Sequence, residues 1–369
     1  MKNRIRNLTF ALLLITLMLN ITPIALAKTR QSHLIDFIYE NQRGKITFGL
    51  SSQDTANAIE ILDFYDAYLV ENLFETPKSV DIPDLKVYLK NGIKTMFDTG
   101  EIDIYKVYHY LETLNRLELL ETSLNSTLHN KIYNYINNTY QVGGGFSPTN
   151  TSNAANMVST YYIYKIFTII DEPVENETIH KSWVISCNNT DGGYGGNQTL
   201  SSTLITTYFA VYLINELGSI NDLADQTKTL NYFKSLFIGD SNSLDHYGGF
   251  LPDLFAETPL LSSTLFCVEG LRLIDENELN KIAISNWVLK HQNFLDGGFG
   301  DFTEGVDSRL SSISTSYSAF KILQILVSLD LLNEDIFMVE FSYLTLIIIF
   351  SVIGIIILGG YLILRRRRI

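Results

Sequence analysis

Residues 291–300 read His291-Gln-Asn-Phe-Leu-Asp296-Gly-Gly-Phe-Gly300, and the hydroxyl cluster Leu310-Ser-Ser312 follows. The same order of turn, Ser/Thr cluster and apolar segment recurs upstream. Gly143-Gly-Gly-Phe146 leads to Ser159-Thr-Tyr-Tyr162, Asp191-Gly-Gly-Tyr-Gly195 to Leu200-Ser-Ser-Thr203, and Tyr247-Gly-Gly-Phe250 to Leu261-Ser-Ser-Thr264. The glycine pairs lie 48 to 56 residues apart. Self-similarity at such a period is the signature of stacked supersecondary units. Two weaker copies come first, Arg43-Gly44 through Asp54-Thr-Ala-Asn57 and Thr99-Gly100 through Lys106-Val-Tyr-His109. The chain therefore divides into six units, about 31–75, 80–120, 124–171, 176–219, 222–275 and 278–331.

Each unit reads as two helices. In the sixth, Leu279, Ile282, Ala283 and Trp287 fall at helical spacing before the turn, and Ala319, Ile322, Leu323 and Leu326 do so after it. The Ser/Thr clusters sit where a second helix begins, where hydroxyls cap free N–H groups. Paired glycines permit positive φ in the loop, and the next aromatic (Phe146, Tyr194, Phe250 or Phe299) is placed to plug the loop onto the helix ends. Strand patterns are scarce. Stacked helix pairs make either an open solenoid or a closed ring. An open solenoid needs polar end caps, and none is evident, so closure is expected.

These turns resemble those of the protein prenyltransferase β subunits and the squalene and terpene cyclases. The likeness covers nearly all of 31–331 and is strongest over 140–330. The sixth unit matches best, with Trp287, Gln292, Asp296-Gly-Gly-Phe-Gly300, Tyr317 and Ala319. The fourth offers Trp183, Ser186-Cys187-Asn188 and Asp191-Gly-Gly-Tyr-Gly-Gly196. The resemblance implies an all-α fold, an α/α toroid of six helical hairpins with six inner and six outer helices. Residues that build a scaffold do not by themselves assign an activity. The prenyltransferases hold zinc with an aspartate, a cysteine two residues on, and a histidine at the start of an inner helix. No Asp-x-Cys occurs here, and in the matching stretch Ser263-Thr-Leu-Phe-Cys-Val-Glu-Gly-Leu271 the histidine position is Ser263. Cys267 matches a cysteine of that helix that is not a ligand. The cyclases use an Asp-x-Asp-Asp acid. The nearest strings, Asp81-Ile-Pro-Asp84 and Asp222-Leu-Ala-Asp225, lack the paired aspartates. The Gly-Cys-Gly-Glu-Gln string of the complement-like thioester branch is also missing. No metal and no cofactor are expected.

The two ends speak of location. Lys2, Arg4 and Arg6 precede an apolar run over 10–19, and Ala25-Leu26-Ala27 is a small-residue cleavage site, so 1–27 reads as a signal peptide. Residues 344–364 carry no charge and are followed by Arg365, Arg366, Arg367 and Arg368. That run is long enough to span a bilayer, and the arginines mark its cytoplasmic side. The expected layout is a toroid over 28–336 outside the cytoplasm, a transmembrane helix with its flank over 337–364, and a basic tail over 365–369. The expectation is a single-pass type I protein of the cell membrane. Seven of the 27 basic residues lie in the two ends, leaving 20 against 40 acidic residues outside. Such a surface repels nucleic acid, and no nucleic-acid partner is expected. The two cysteines, Cys187 and Cys267, make no disulfide framework. Asn125, Asn137, Asn150, Asn176, Asn188 and Asn197 head glycosylation sequons.

Few residues stand out as chemistry. No two of the six histidines share helical spacing. Asp245-His246 enters the fifth turn near Asp253 and Glu257, an acid/base or metal candidate against a solvated loop. His291 aligns with Cys187 and reads as a helix-end residue. Asp301, Glu304 and Asp307 on the sixth turn offer oxygen ligands, but without the regular pattern of a calcium loop. Catalytic candidates are thus Asp245, His246, Asp301 and Glu304. Tyr161, Tyr162, Tyr164, Tyr208, Tyr212 and Tyr317 fall on the second helices. These read first as core packing, and Tyr161, Tyr208, Tyr212 and Tyr317 are the candidates for lining a cavity that takes an apolar or carbohydrate ligand. A diphosphate site would need Arg and Lys on that face, where Arg272 and Lys321 stand as single charges. The leading expectation is a membrane-anchored, non-catalytic toroid binding an extracellular protein, lipid or glycan. The alternatives are a diverged enzyme acting on an isoprenoid, lipid or glycan, and a structural surface component.

Overall fold

The six units fold as six antiparallel helix pairs. The computed structural model describes residues 27–71, 76–243, 245–301 and 310–337. In chain order the pairs are α1 (Arg30–Glu40) with α2 (Ser52–Phe64), α3 (Ile82–Thr99) with α4 (Ile104–Arg116), and α5 (Ser126–Asn137) with α6 (Met157–Ile169). Then come α7 (Glu177–Ser186) with α8 (Leu204–Glu216), α9 (Gln226–Lys234) with α10 (Leu261–Asp275), and α11 (Lys281–Lys290) with α12 (Ile313–Ile325).

Burial separates the two layers. On α3 only Leu85, Leu89, Ile93 and Met96 are buried, one stripe of an otherwise wet helix. On α8 nine of 13 residues are buried, from Leu204 to Ile214, so the helix is covered nearly all round. The odd-numbered helices are the outer layer and the even-numbered ones the inner. Each inner helix packs on the next, α2 on α4, α4 on α6, α6 on α8, α8 on α10 and α10 on α12, and α12 packs back on α2. Residues 33–330 therefore form a closed α/α ring, and all six inner helices run in the same direction.

The glycine turns lock neighbouring hairpins together. Gly248 has φ +101°, and a Cβ there would overlap the Ala283 carbonyl on the following outer helix, α11. Its partner Gly249 lies against the Trp287 ring, one helical turn further along α11. The third turn packs in the same way on Ile179 and Trp183, and the fourth on Lys228 and Tyr232. In the sixth turn Gly297, at φ +83°, meets the His33 carbonyl, and Gly298 meets Phe37. Those residues lie on α1, so the last turn closes the ring from outside.

The hydroxyl clusters do two jobs where one was expected. Ser51, Thr203 and Ser312 cap α2, α8 and α12, while α6 is capped by Asn156 and α10 has no capping side chain of its own. The fourth residue of five inner helices turns back instead. Thr55, Thr160, Thr207, Thr264 and Ser316 accept the backbone N–H of Phe48, Phe146, Tyr194, Phe250 and Phe299 at 2.9–3.1 Å. All five aromatic rings are buried. Phe48 thus serves the first unit as a plug that the repeat pattern did not reveal. The second unit has neither, because Gly100 simply ends α3 at φ +78°.

The described residues 27–32 and 331–337 make a separate unit. It holds an antiparallel ladder pairing Ala27–Thr29 with Asp335–Phe337. Among the described residues no helix is long and apolar enough to cross a membrane. The leader over 1–26, the apolar run over 344–364 and the arginine tail lie outside them.

Candidate functional site: the bore of the ring

The inner helices surround a cavity of about 480 Å³, in the size range of small-molecule sites. Its wall is layered because the inner helices are parallel and in register. Five residues after each helix start stand Asn57, His109, Tyr162, Phe209, Phe266 and Ser318; one position earlier stand Tyr108, Tyr161, Tyr208 and Tyr317. All of them line the bore. Eight residues after each start come Glu60, Glu112, Lys165, Tyr212, Glu269 and Lys321, one per helix and all in the wall. This polar ring lies one helical turn below the aromatic belt. Arg116 and Arg272 add charge toward the helix C-termini. The lining holds four fixed cations against three carboxylates, one net positive charge.

The polar ring is partly satisfied from within. Glu60 accepts from Lys321 at 2.9 Å and Tyr317 at 3.1 Å, and pairs with Arg116 at 2.8 Å. The first of these joins residues 261 positions apart and closes the ring from inside. Arg272 donates to Glu269 at 3.1 Å. Tyr108 donates to Glu112 at 2.7 Å, while His109 Nδ1 stands 3.9 Å from the same carboxylate, within ion-pair range but too far for a hydrogen bond. Burial pushes the Glu112 carboxyl up, but His109, Tyr108 and Lys165 outweigh it and hold the group below its ordinary value. Burial drives the Tyr108, Tyr161, Tyr208 and Tyr317 phenols well above theirs, so they stay neutral donors. Tyr161 stacks on Phe209, with centroids 4.0 Å apart.

Tyr161, Tyr208, Tyr212 and Tyr317 all lie in the bore, with Tyr162; Tyr164 does not line it. Arg272 and Lys321 are not isolated charges: both face the bore and are joined there by Arg116 and Lys165. Asp245 and His246 sit on the fifth turn, away from the bore, where the Asp245 carbonyl accepts from Trp287 Nε1 at 3.1 Å. Asp301 accepts the Leu261 N–H at 2.7 Å and so supplies the cap that α10 lacks. Burial raises its carboxyl against that hydrogen bond. Glu304 and Asp307 lie outside the described residues. His291 ends α11, with Nδ1 2.8 Å from the Trp287 carbonyl, as Cys187 Sγ ends α7 on the Trp183 carbonyl at 3.3 Å. Cys187 and Cys267 are free thiols, both buried. Of the sequon asparagines, Asn125, Asn150 and Asn176 are exposed, and Asn137 and Asn197 are half-buried. Asn188 is committed to its turn, with Nδ2 donating to the Gly192 and Gly193 carbonyls.

A zinc ion does not fit the donor set of the described residues. Among the described residues no group of three or more His, Cys, Asp or Glu side chains converges. Ser263 is buried, and Cys267 lies outside the bore wall.

A closed ring of six helix pairs around a central cavity defines an α/α toroid. The prenyltransferase alpha-alpha toroid domain family matches residues 1–156, 148–251 and 251–342. The chain belongs to that family. Its fold is similar to that of the Candida albicans protein geranylgeranyltransferase-I complexed with GGPP, with TM-score 0.51 and 14% identity over 82% of this chain and 86% of that one. It is likewise similar to a type II terpene cyclase from Scytonema in its apo form, with TM-score 0.50 and 11% identity over 82% of this chain and 98% of that one. At such identities the likeness concerns the fold alone. No curated protein matches the sequence.

Proposed function

We propose that this toroid is a non-catalytic receptor that takes a small polar organic molecule into its bore, held at the cell surface by its C-terminal segment. The observation that carries the reading is the polar ring of Glu60, Glu112, Lys165, Tyr212, Glu269 and Lys321 across the cavity. An isoprenoid chain lodged there would strip water from five charges and return no hydrogen bonds, which is costly. A polar ligand can replace that water group for group. The belt of tyrosines above the ring adds flat apolar faces with neutral hydroxyls, which suits a ring-bearing ligand. The neighbours that hold the Glu112 carboxyl below its ordinary value further favour binding over acid catalysis, since a proton donor needs a raised carboxyl. The leader, the uncharged run over 344–364 and the four arginines after it support the surface location.

Native mass spectrometry of the full-length protein, released from detergent, tests the reading. The expected result is a bound polar molecule of a size that fits the bore, lost on mild activation. A co-purifying isoprenoid or its diphosphate would overturn it.

A further inference from the structure

The hydrogen bonds and ion pairs inside the bore leave one cation, Lys165, without a carboxylate in contact, its charge reaching Glu112 only at longer range. Glu60 is engaged by Arg116, Lys321 and Tyr317, and Glu269 by Arg272. Glu112 takes the Tyr108 hydroxyl. Among the described residues no carboxylate lies within ion-pair distance of Lys165. Its one hydrogen bond goes to the Tyr212 hydroxyl at 3.4 Å, and its ammonium stands 5.1 Å from that ring's centroid. An ammonium carries three donors, and one long bond to a phenol leaves most of that capacity open.

Two more polar atoms of the wall are buried without a hydrogen-bond partner, Asn57 Nδ2 and His109 Nδ1, the latter with only the Glu112 carboxylate at 3.9 Å. Both residues are 7% exposed and line the cavity. Buried polar atoms ordinarily find partners in protein, water or ligand, so these two offer a bound molecule further points of contact in the wall. The open capacity is mainly for donation, and the lining carries one surplus positive charge. Acceptor oxygens bearing a single negative charge answer both. A diphosphate brings several negative charges and would set them against Glu60, Glu112 and Glu269 in a poorly screened bore.

Resting on the reading of the bore as a polar-ligand site, we propose that Lys165 anchors the carboxylate of a monoanionic organic acid. The ring-bearing body of this ligand lies against the Tyr161–Phe209 stack one helical turn away. Lys165 is then the charge partner of the ligand, and Tyr212 orients its ammonium.

Titration calorimetry of the detergent-solubilised full-length protein tests this with four probes: benzoate, glucuronate, glucose and inorganic diphosphate. At least one of the two carboxylates is expected to bind, with glucose and diphosphate much weaker. Loss of a charge-assisted hydrogen bond in Lys165→Met should weaken that carboxylate by about tenfold or more. Lys165→Arg should retain most of the affinity, and the melting temperatures of both variants should stay near that of the parent. If Lys165→Met fails to fold, the Lys165→Arg titration and the probe ranking still decide. Equal binding of diphosphate, no binding of either carboxylate, or carboxylate binding indifferent to Lys165→Met would each overturn the proposal. Glucose binding indifferent to Lys165→Met would remove the anchor while leaving a polar-ligand bore. A co-purified isoprenoid with no probe bound would remove both.

Discussion

Gly248 and Gly297 show how much one residue carries here. Each has a positive φ, and each meets the backbone carbonyl of the neighbouring hairpin's outer helix, so an added methyl faces both strain and rigid atoms. Gly248→Ala and Gly297→Ala should each cost about 2–4 kcal/mol of unfolding free energy, read by urea titration. Gly143 heads a glycine run yet has open space around it and no positive φ. Gly143→Ala should stay within about 0.5 kcal/mol of the parent. The sequence alone presented all these glycines alike as turn formers. Only the next hairpin's carbonyl separates the essential ones from the tolerant one. Asp301 is a similar case. Its spacing to Glu304 offered oxygen ligands without a calcium-loop pattern, and nothing in the sequence pointed to the Leu261 N–H, 40 residues away, that its carboxylate accepts.

At the scale of elements, the glycine and hydroxyl repeat made the hairpins legible, because turn chemistry and helix starts are written locally. The inner face was less legible. Glu60, Glu112, Lys165, Glu269 and Lys321 have the look of solvated surface charges in any single helix. They become a ring only when the helices are aligned on their first residues, which in five of the six also aligns the Thr or Ser that holds the turn aromatic, and are then closed into a circle. The tyrosines were readable as inner-face residues because neutral aromatics are expected inside.

His180 displays the coupling between a turn and the outer helix beyond it. Its Nδ1 accepts the Gly145 N–H at 3.0 Å, and its ring stacks on Phe146 with centroids 4.4 Å apart. Burial pulls its imidazole from 6.5 down to about 4. The unfolded chain therefore takes the proton first. Stability should be full above about pH 6.5 and decline as the pH falls from there toward 4, by up to about 3 kcal/mol. His180→Asn, which keeps an acceptor near the Nδ1 position, should flatten that part of the pH profile of unfolding. An unchanged slope would assign the acid sensitivity elsewhere.

For residues 33–330 as a whole, closure is the property on which the bore depends. The first and last inner helices must meet for Glu60 to face Lys321 and Tyr317, and the last glycine turn must reach α1 for Gly297 to find His33. The sequence pointed to closure through the lack of an end cap, and the contacts between the first and last units provide its physical basis. An open array would leave Glu60 with Arg116 but without Lys321, and the polar ring would not exist.

A double-mutant cycle on Glu60→Gln and Lys321→Met, in reversible urea unfolding of the full-length protein, tests this most directly. The two residues lie 261 positions apart in sequence and 2.9 Å apart in space. The expected coupling energy is about 1–3 kcal/mol, with each single variant costing more than its share of the double. Additive effects, with coupling indistinguishable from zero, would contradict a closed ring with a charged bore.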